Sequence, residues 1–258
     1  MGGADANEIM TRETTEADAD APDIADASGS ASAFFGRRKG KRLRPGQEAR
    51  LGTLLPERLL PDPRAHPEAF ADPAALFPHA PERIVLEIGF GGGEHLAHRA
   101  REDRAAGFIG VEPFVNGMAK MLAAIDEDDL ANVRLFDQDA ALLLPALPDA
   151  SLDAVYLLYP DPWPKRRTRK RRFVSPRTLA EIARLLKPGG IFRFASDIDD
   201  YVGWTLVRAA AEPRLAWTAR RADDWRTPYP GWPGTRYEAK AIREGRVPSY
   251  LTFERVAV

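Results

Sequence analysis

The stretch LEIGFGGGEHL at residues 86–96 decides the fold, because a short apolar run leads there into a glycine-rich loop and then into a helical pattern. The loop holds Glu87, Gly89, Gly91 and Gly93 at alternate positions. Glycine lets the backbone turn tightly and approach a ligand closely. A dinucleotide-binding G-x-G-x-x-G fingerprint would require glycine at position 94, where this chain has Glu94. The stretch therefore indicates the first strand–loop–helix unit of an α/β sheet and a ligand other than a dinucleotide.

Short apolar runs recur along the chain, and helical patterns separate them. The predicted strands are residues 83–88, 107–111, 133–136, 154–159 and 191–195. Three helices are predicted. The first begins at residue 94, the second spans residues 115–125, and the third runs from residue 175 to the Lys-Pro-Gly-Gly sequence at 187–190. Strands that alternate with helices at this spacing predict βαβ units and a mostly parallel sheet. The last run, residues 250–256, predicts an added antiparallel strand.

The net charge of −1 averages over two different parts of the chain. Residues 1–33 carry eight acids and one base with few large apolar side chains, so we expect a disordered acidic tail. The rest has 36 Lys and Arg against 30 Asp and Glu. Its cations concentrate in FGRRKGKRLRPG at 35–46 and in KRRTRKRR at 165–172, with seven cations in eight residues. Such a run is either a solvated surface loop or a site for a polyanion, and we favour nucleic acid.

The composition also excludes several kinds of site. The chain has no cysteine, so disulfides, thiolate metal sites and a cysteine nucleophile are excluded. No apolar run approaches the 18 or so residues of a membrane span, and the first residues do not resemble a secretory signal. We therefore expect a cytoplasmic protein. His95 and His98 lie three positions apart without a matching third ligand, so we predict no metal site.

An acidic residue lies at or soon after the end of each predicted strand. These acids are Glu87, Glu112, Asp139, Asp161 and Asp197. Any one of them alone is more simply explained as a helix cap or a solvated charge. Five of them at the carboxyl ends, where doubly wound sheets bind their ligands, favour a ligand with hydroxyls, amines and a cation. S-adenosylmethionine fits that description, with Glu112 placed to accept hydrogen bonds from both ribose hydroxyls.

The fourth predicted strand ends in YLLYPDPWPKRRTRKRRFV at residues 156–174. Prolines at 160, 162 and 164 restrict the backbone around Asp161 and Trp163. A restricted backbone reduces the entropy lost when a carboxylate is positioned for catalysis. An acid between proline and aromatic residues at this strand end is typical of enzymes that methylate base nitrogens, and the basic run follows it directly.

In these motifs the chain resembles the bacterial tRNA (guanine-N7-)-methyltransferases. The resemblance runs from about Phe35 to Phe253. It rests on LEIGFGGG, GVEP, DQDA at 137–140, the PDPW block with its basic run, SDIDDY at 196–201 and TRYEAK at 235–240. It implies a Rossmann-like class I methyltransferase fold, that is, a doubly wound, mostly parallel seven-stranded α/β sheet with an antiparallel strand near the C-terminus. The implied organisation is an acidic tail (1–33), a basic extension with a short helix (34–80) and a methyltransferase domain (81–258).

The resemblance also implies the site and the reaction, which is transfer of methyl from S-adenosyl-L-methionine to N7 of the variable-loop guanine in tRNA. Asp161 is then the active-site residue. The implied cofactor-binding residues are Glu87, Gly89, Gly91, Gly93, Glu112, Asp139, Ala140 and Asp161. The implied substrate-binding residues are Lys165, Asp197, Thr235, Arg236, Tyr237 and Glu238, and the implied RNA-binding residues are Arg167, Thr168, Arg169, Lys170, Arg171 and Arg172. Relatives often have lysine and phenylalanine where this chain has Arg236 and Tyr237.

Guanine N7 carries a free lone pair at neutral pH, so the expected mechanism needs positioning and electrostatic stabilisation rather than a base. Asp161 is the first choice and Asp197 the second for stabilising the charge that the base gains. Trp163 and Tyr237 are candidates to receive a flipped base, although packing explains Trp163 equally well. Two alternatives remain: a methyltransferase of another RNA base nitrogen, and a non-catalytic RNA-binding protein on the same fold, which the complete glycine loop disfavours.

Overall fold

The computed structural model describes residues 35–257, which are built around one sheet of seven strands. The strands are β1 (Ile84–Ile88), β2 (Gly107–Val111), β3 (Val133–Phe136), β4 (Leu152–Leu158), β5 (Leu186–Ser196), β6 (Leu215–Trp217) and β7 (Ser249–Arg255). The helices are α1 (Pro45–Thr53), α2 (Leu55–Arg58), α3 (Glu94–Glu102), α4 (Val115–Asp128), α5 (Ala140–Leu143), α6 (Pro176–Leu185), α7 (Asp199–Ala210), α8 (Asp223–Arg226) and α9 (Arg236–Arg243). The predicted acidic tail lies outside the described residues.

The strand order is β3-β2-β1-β4-β5-β7-β6. Strands β1 to β5 pair in parallel, with Leu86 opposite Ile109 in the β1–β2 pair. Strand β7 is antiparallel to both β5 and β6. This confirms the doubly wound, mostly parallel α/β fold with an antiparallel strand near the C-terminus. Strands β2 and β3 are added on one side of β1, and β4 and β5 on the other, so the strand order has a switch point between β1 and β4. Ligands of open α/β sheets bind at the carboxyl ends of the strands beside such a switch point.

Alternating side chains of the strands enter separate cores on the two faces of the sheet. In β2, Phe108 packs in a cluster with residues of α3 and α4, whereas Ile109 packs in a cluster with residues of α5, α6 and α7. Successive side chains of a strand point to opposite faces, so this is the pattern of a sheet covered on both sides. The strands are consequently apolar throughout, which is why the sequence shows them as continuous runs.

Residues 45–80 share these cores. Leu51, Leu54 and Leu55 pack against the α3–α4 cluster, while Phe70 and Phe77 are buried in the opposite cluster. Within the described part of the chain, no helix is long and apolar enough to span a membrane.

Most predicted element ends agree with the structure to within two residues, and the region after α6 differs most. Ser175 caps α6 as predicted, since its hydroxyl accepts a hydrogen bond from the backbone N–H of Thr178 at 3.2 Å. The helix ends at Leu185, and β5 begins at once, so residues 187–190 belong to the strand rather than to a loop. Gly189 has a φ of +77°, and the β4–β5 register shifts between Leu152 and Ala154. An irregular strand start of this kind has no periodicity that sequence analysis could detect.

Candidate active site

The glycine loop joins β1 to α3 with three residues in the left-handed region, where Gly89, Gly91 and Gly93 have φ of +70°, +59° and +81°. Gly93 caps α3, and a Cβ atom there would lie only 2.4 Å from the sulfur of Met121. Another residue at this position would therefore suffer both backbone strain and a steric clash. The loop conformation explains why the sequence has glycine at alternate positions.

Glu112 follows β2 and holds the glycine loop. Its carboxylate accepts hydrogen bonds from the backbone N–H groups of Gly91 at 2.8 Å and Phe114 at 2.9 Å. Burial raises the pKa of Glu112, and the nearby charge of Asp161 raises it further, while the two backbone hydrogen bonds oppose the rise. Each carboxylate oxygen has a second lone pair, so Glu112 retains the capacity to accept hydrogen bonds from a ligand.

Gly117, which the sequence analysis did not single out, allows α4 to approach the glycine loop. A Cβ atom at Gly117 would lie 2.1 Å from the carbonyl oxygen of Gly91. Any side chain there would displace the loop. This close contact joins two separate elements, so no local sequence signal identifies it.

Glu87 and His95 form a buried couple below the loop. The Nδ1 atom of His95 lies 2.7 Å from Oε2 of Glu87, and the two side chains are 1% and 4% exposed. The imidazole packs on Tyr156 and Trp232, with ring centroids 4.7 and 5.3 Å away. His95 therefore orients Glu87 at the end of β1. Among residues 35–257 no group of three or more His, Asp or Glu side chains is arranged to hold a metal ion.

Asp161 lies in the loop that follows β4. The flanking residues Tyr159 and Trp163 have φ of +49° and +41°, a conformation that costs a non-glycine residue about 1–3 kcal/mol. Such strain is commonly stored at functional sites. Asp161 is exposed to solvent, but partial desolvation of its carboxyl group by the surrounding loop raises its pKa. Its charge in turn raises the pKa values of Glu112 and Tyr237, so these three side chains lie within electrostatic reach of one another.

The late TRYE sequence forms the beginning of α9, which the sequence analysis treated only as a motif. Thr235 caps the helix, and its hydroxyl accepts a hydrogen bond from the backbone N–H of Glu238 at 3.1 Å. Glu238 is buried and points inward. Its carboxylate accepts hydrogen bonds from Trp232 Nε1 and from the hydroxyl of Tyr250. Capping and core hydrogen bonds therefore involve the polar groups of Thr235 and Glu238, and their expected substrate contacts stay predictions.

Arg236 and Tyr237, between these two residues, cover the glycine loop. Arg236 Nε lies 2.9 Å from Oε1 of Glu94, the first residue of α3. A Cβ atom at Gly92 would lie 1.2 Å from a guanidinium nitrogen of Arg236, and one at Gly91 would lie 3.1 Å from the Tyr237 ring. The Tyr237 side chain remains 47% exposed. It is therefore placed between the loop and solvent, as a base-receiving ring would need to be.

Two further predicted acids lie at neighbouring strand ends. Asp139 caps α5 by accepting a hydrogen bond from the backbone N–H of Ala141 at 2.9 Å, and Ala140 beside it is buried. Asp197 follows β5 and pairs with Arg246, which the sequence analysis missed. These two residues line a surface cavity at that end of the sheet. Because 49 residues separate Asp197 from Arg246, no local sequence signal could have identified the pair.

The basic run forms a 3₁₀ turn at Arg166–Arg171 and divides its cations between solvent and protein. Lys165, Arg166, Arg167 and Lys170 are exposed, and none of them pairs with an acid in the part of the chain that the structure describes. Arg169 forms an ion pair with Asp200 at 2.9 Å, and the hydroxyl of Thr168 bonds back to the carbonyl of Lys165. The exposed cations are available to a polyanion.

Arg172, one of the expected RNA-binding residues, differs from the exposed cations of the run. Its side chain is fully buried, pairs with Asp200, and donates a hydrogen bond from Nε to the carbonyl of Pro162 at 2.8 Å. The guanidinium lies over the rings of Tyr201 and Trp204, 4.8 and 4.9 Å from their centroids. Its guanidinium therefore holds the proline-rich loop from inside the protein, and its expected contact with RNA stays a prediction.

The chain is similar to known proteins in sequence. Residues 81–249 match the family described as "Putative methyltransferase". The tRNA (guanine-N(7)-)-methyltransferase of Azorhizobium caulinodans is 60% identical over 224 residues, which cover 87% of this chain and 95% of that protein. The protein of the same name from Rhizobium meliloti is 61% identical over 223 residues, covering 86% of this chain and 95% of that protein.

The likeness extends to a solved structure. The crystal structure of the 16S rRNA methyltransferase KamB superposes with a TM-score of 0.51 at 19% sequence identity, covering 69% of this chain and 89% of that one. At this identity the comparison concerns the fold alone. The family is shown by the curated relatives, which are 60% and 61% identical and of which the chain covers 95%. The chain belongs to the tRNA (guanine-N(7)-)-methyltransferase family.

Proposed function

We propose that this protein transfers the methyl group of S-adenosyl-L-methionine to N7 of a guanine in tRNA. The observation that carries the proposal is the convergence of Asp161, Glu112 and the glycine loop at the switch point of the sheet, beside a run of exposed cations. The names of the curated relatives support the tRNA substrate and the guanine position. We also infer a cytoplasmic location, where such an enzyme would meet its tRNA.

The residues at this site fit S-adenosyl-L-methionine by their chemistry. The side chains that converge there are the carboxylates Glu87, Glu112 and Asp161, which accept hydrogen bonds and favour cations. A pyrophosphate would be repelled by them, whereas hydroxyls and an ammonium or sulfonium group would be attracted. Gly89 has open space around its Cβ position, so the backbone there is accessible to a ligand. Glu112 is the residue we expect to hold the ribose hydroxyls.

S-adenosyl-L-methionine, when bound, supplies a methyl group made reactive by a positively charged sulfur. The protein does not have to activate guanine N7, because its lone pair is free at neutral pH. The contribution of the chain is to orient the base and to offset the positive charge that the base acquires on methylation. Asp161 places a carboxylate at this site on a strained, proline-fixed backbone, which reduces the reorganisation needed during the reaction.

The test is methyl transfer to an unmodified tRNA transcript, followed by nucleoside analysis and mapping of the modified position. We expect one N7-methylguanosine per tRNA. Methylation of an exocyclic amine or of a different base would favour the alternative RNA methyltransferase. Cofactor-independent tRNA binding without any transfer would favour the non-catalytic RNA-binding protein.

A further inference from the structure

A second basic surface lies outside the residues assigned so far. The N-terminal basic segment, defined here as residues 35–44, carries six exposed cations: Arg37, Arg38, Lys39, Lys41, Arg42 and Arg44. Within residues 35–257 none of these six forms an ion pair with an acid. Like charges at this density repel one another, so among the described residues the segment retains positive charge that an external polyanion would neutralise.

The segment is held against the methyltransferase domain by its backbone. Asn116, in the first turn of α4, accepts a hydrogen bond from the N–H of Gly40 at 2.7 Å and donates one to the carbonyl of Lys41 at 2.7 Å. The N–H of Val115 donates to the carbonyl of Arg38 at 2.9 Å. A Cβ atom at Gly40 would lie 2.7 Å from the ring of Phe114, so glycine is needed there for this close approach.

This anchorage uses backbone groups of the segment and leaves its cationic side chains exposed to solvent. Asn116 lies only four residues after Glu112, the acid that holds the glycine loop. The segment therefore runs beside the candidate cofactor site.

The beginning of the segment also contacts the basic run after β4. The ring of Phe35 meets Trp163 edge-on, with centroids 6.3 Å apart. The guanidinium of Arg171 lies over both rings, 5.3 Å from the centroid of Phe35 and 5.0 Å from that of Trp163. Trp163, two residues from Asp161, thus joins the two cationic clusters through a cation–π contact. The two clusters form one surface next to the candidate active site.

We propose that the N-terminal basic segment is a second RNA-binding element, which contacts tRNA phosphates together with the cations of residues 165–171. The inference rests on the proposed function for the identity of the RNA. Two clusters joined beside the site can contact backbone phosphates near a base held there, and phosphate contacts fix register and orientation without reading sequence. An anionic membrane surface is the other class of polyanion, and continuity with the site favours RNA.

The experiment measures tRNA binding of the full chain by filter titration at several salt concentrations. The test variant carries Arg37→Gln, Lys39→Gln and Arg42→Gln. The matched control carries Arg83→Gln, Arg101→Gln and Lys187→Gln, which remove the same charge at the opposite, amino end of the sheet. We expect the test variant alone to bind tRNA at least about tenfold more weakly and to lower the salt slope by about 2–3, close to one per lost phosphate contact.

A second variant, Asn116→Ala, keeps every cation but removes the anchor. We expect it to weaken tRNA binding while leaving the salt slope closer to that of the parent, because the charges remain but are no longer positioned. Cofactor affinity of the triple variant, measured by calorimetry, should equal that of the parent. Equal tRNA affinity and slope in the triple variant and its control would overturn the proposal, as would parent protein that binds anionic phospholipid vesicles through these residues but not tRNA.

The readouts separate this proposal from the proposed function. Methyl transfer to tRNA that persists with an unaltered salt slope in the triple variant would overturn the second RNA-binding element and leave the function standing. A parent that binds tRNA through the segment but transfers no methyl group would support the RNA-binding element and overturn the function.

Discussion

Arg172 and Lys170 lie two positions apart in the same cationic run and have opposite environments. Arg172 is buried with Asp200, Tyr201 and Trp204, whereas Lys170 is exposed. We expect Arg172→Ala to lower the free energy of unfolding by about 1–3 kcal/mol, since it removes a charged hydrogen-bond donor from the protein interior. Lys170→Ala should change it by less than about 0.5 kcal/mol. Urea denaturation measures both. Equal stabilities would contradict the structural role of Arg172.

The raised pKa of Asp161 predicts a pH dependence. Partial desolvation disfavours the charged form, so the carboxylate gains a proton at a higher pH than a free aspartate does. If charge stabilisation is its role, kcat falls as pH decreases through that raised pKa. The Asp161→Asn variant should lose this limb and turn over about 100-fold more slowly or worse. A variant that retained the acid limb would show that another group titrates.

Glu112 is expected to act in binding of S-adenosyl-L-methionine rather than in methyl transfer. Glu112→Gln keeps the shape but offers one acceptor oxygen where two backbone N–H groups now donate. Hydrogen bonds to a charged group are worth about 1.5–3 kcal/mol, so the dissociation constant of S-adenosyl-L-methionine should rise about tenfold or more. Affinity for tRNA should stay the same. Calorimetry for the cofactor and filter binding for tRNA test this, and unchanged cofactor affinity would place the ribose elsewhere.

For individual residues, the sequence predicts where the acids lie. It does not predict which of their carboxylates are already paired with other side chains. Acids at strand ends are visible because the strands are continuous apolar runs. The inward direction of Glu238 and the pairing of Asp197 with Arg246 depend on contacts between distant segments. Neither spacing nor composition contains that information.

Helix α9 is the element that connects the late motif with the cofactor loop. The ion pair between Arg236 and Glu94 joins the beginnings of α9 and α3 over the glycine loop. We expect Glu94→Gln to speed dissociation of S-adenosyl-L-methionine by up to about fivefold, since partly exposed ion pairs contribute at most about 1 kcal/mol. Glu102→Gln, at the exposed other end of α3, is the control. Stopped-flow measurements give the cofactor dissociation rate of each variant. Equal dissociation rates would show that the ion pair between Arg236 and Glu94 does not limit cofactor release.

Helices and strands can be predicted from the sequence where a single pattern of apolar residues or a clear helix cap is present. Strands β1 to β5 are continuous apolar runs, and α6 has a clear cap at Ser175. Strand β6 is only three residues long, too short to show alternation. Thr235 and Glu238 have the spacing of a capping box, which predicts a helix that begins after Thr235.

Acidic and basic side chains lie on different parts of the molecule. Acids converge at the carboxyl ends of the strands, and the exposed cations of residues 35–44 and 165–171 flank them. The sequence showed both basic clusters, but their contact through Phe35, Arg171 and Trp163 spans more than 120 residues of chain. Long-range packing of this kind follows from the fold and could not be derived from either cluster alone.

Guanine N7 is the atom that we propose receives the methyl group. The most direct measurement compares methyl transfer to an unmodified tRNA transcript with transfer to the same tRNA carrying 7-deazaguanine at the mapped position, which replaces N7 by a C–H group. Tritiated S-adenosyl-L-methionine reports both reactions, and competition binding checks that the two tRNAs bind equally. We predict full incorporation into the first tRNA and none into the second. Incorporation into both at similar rates would contradict the account, because the accepting atom would then be another nitrogen.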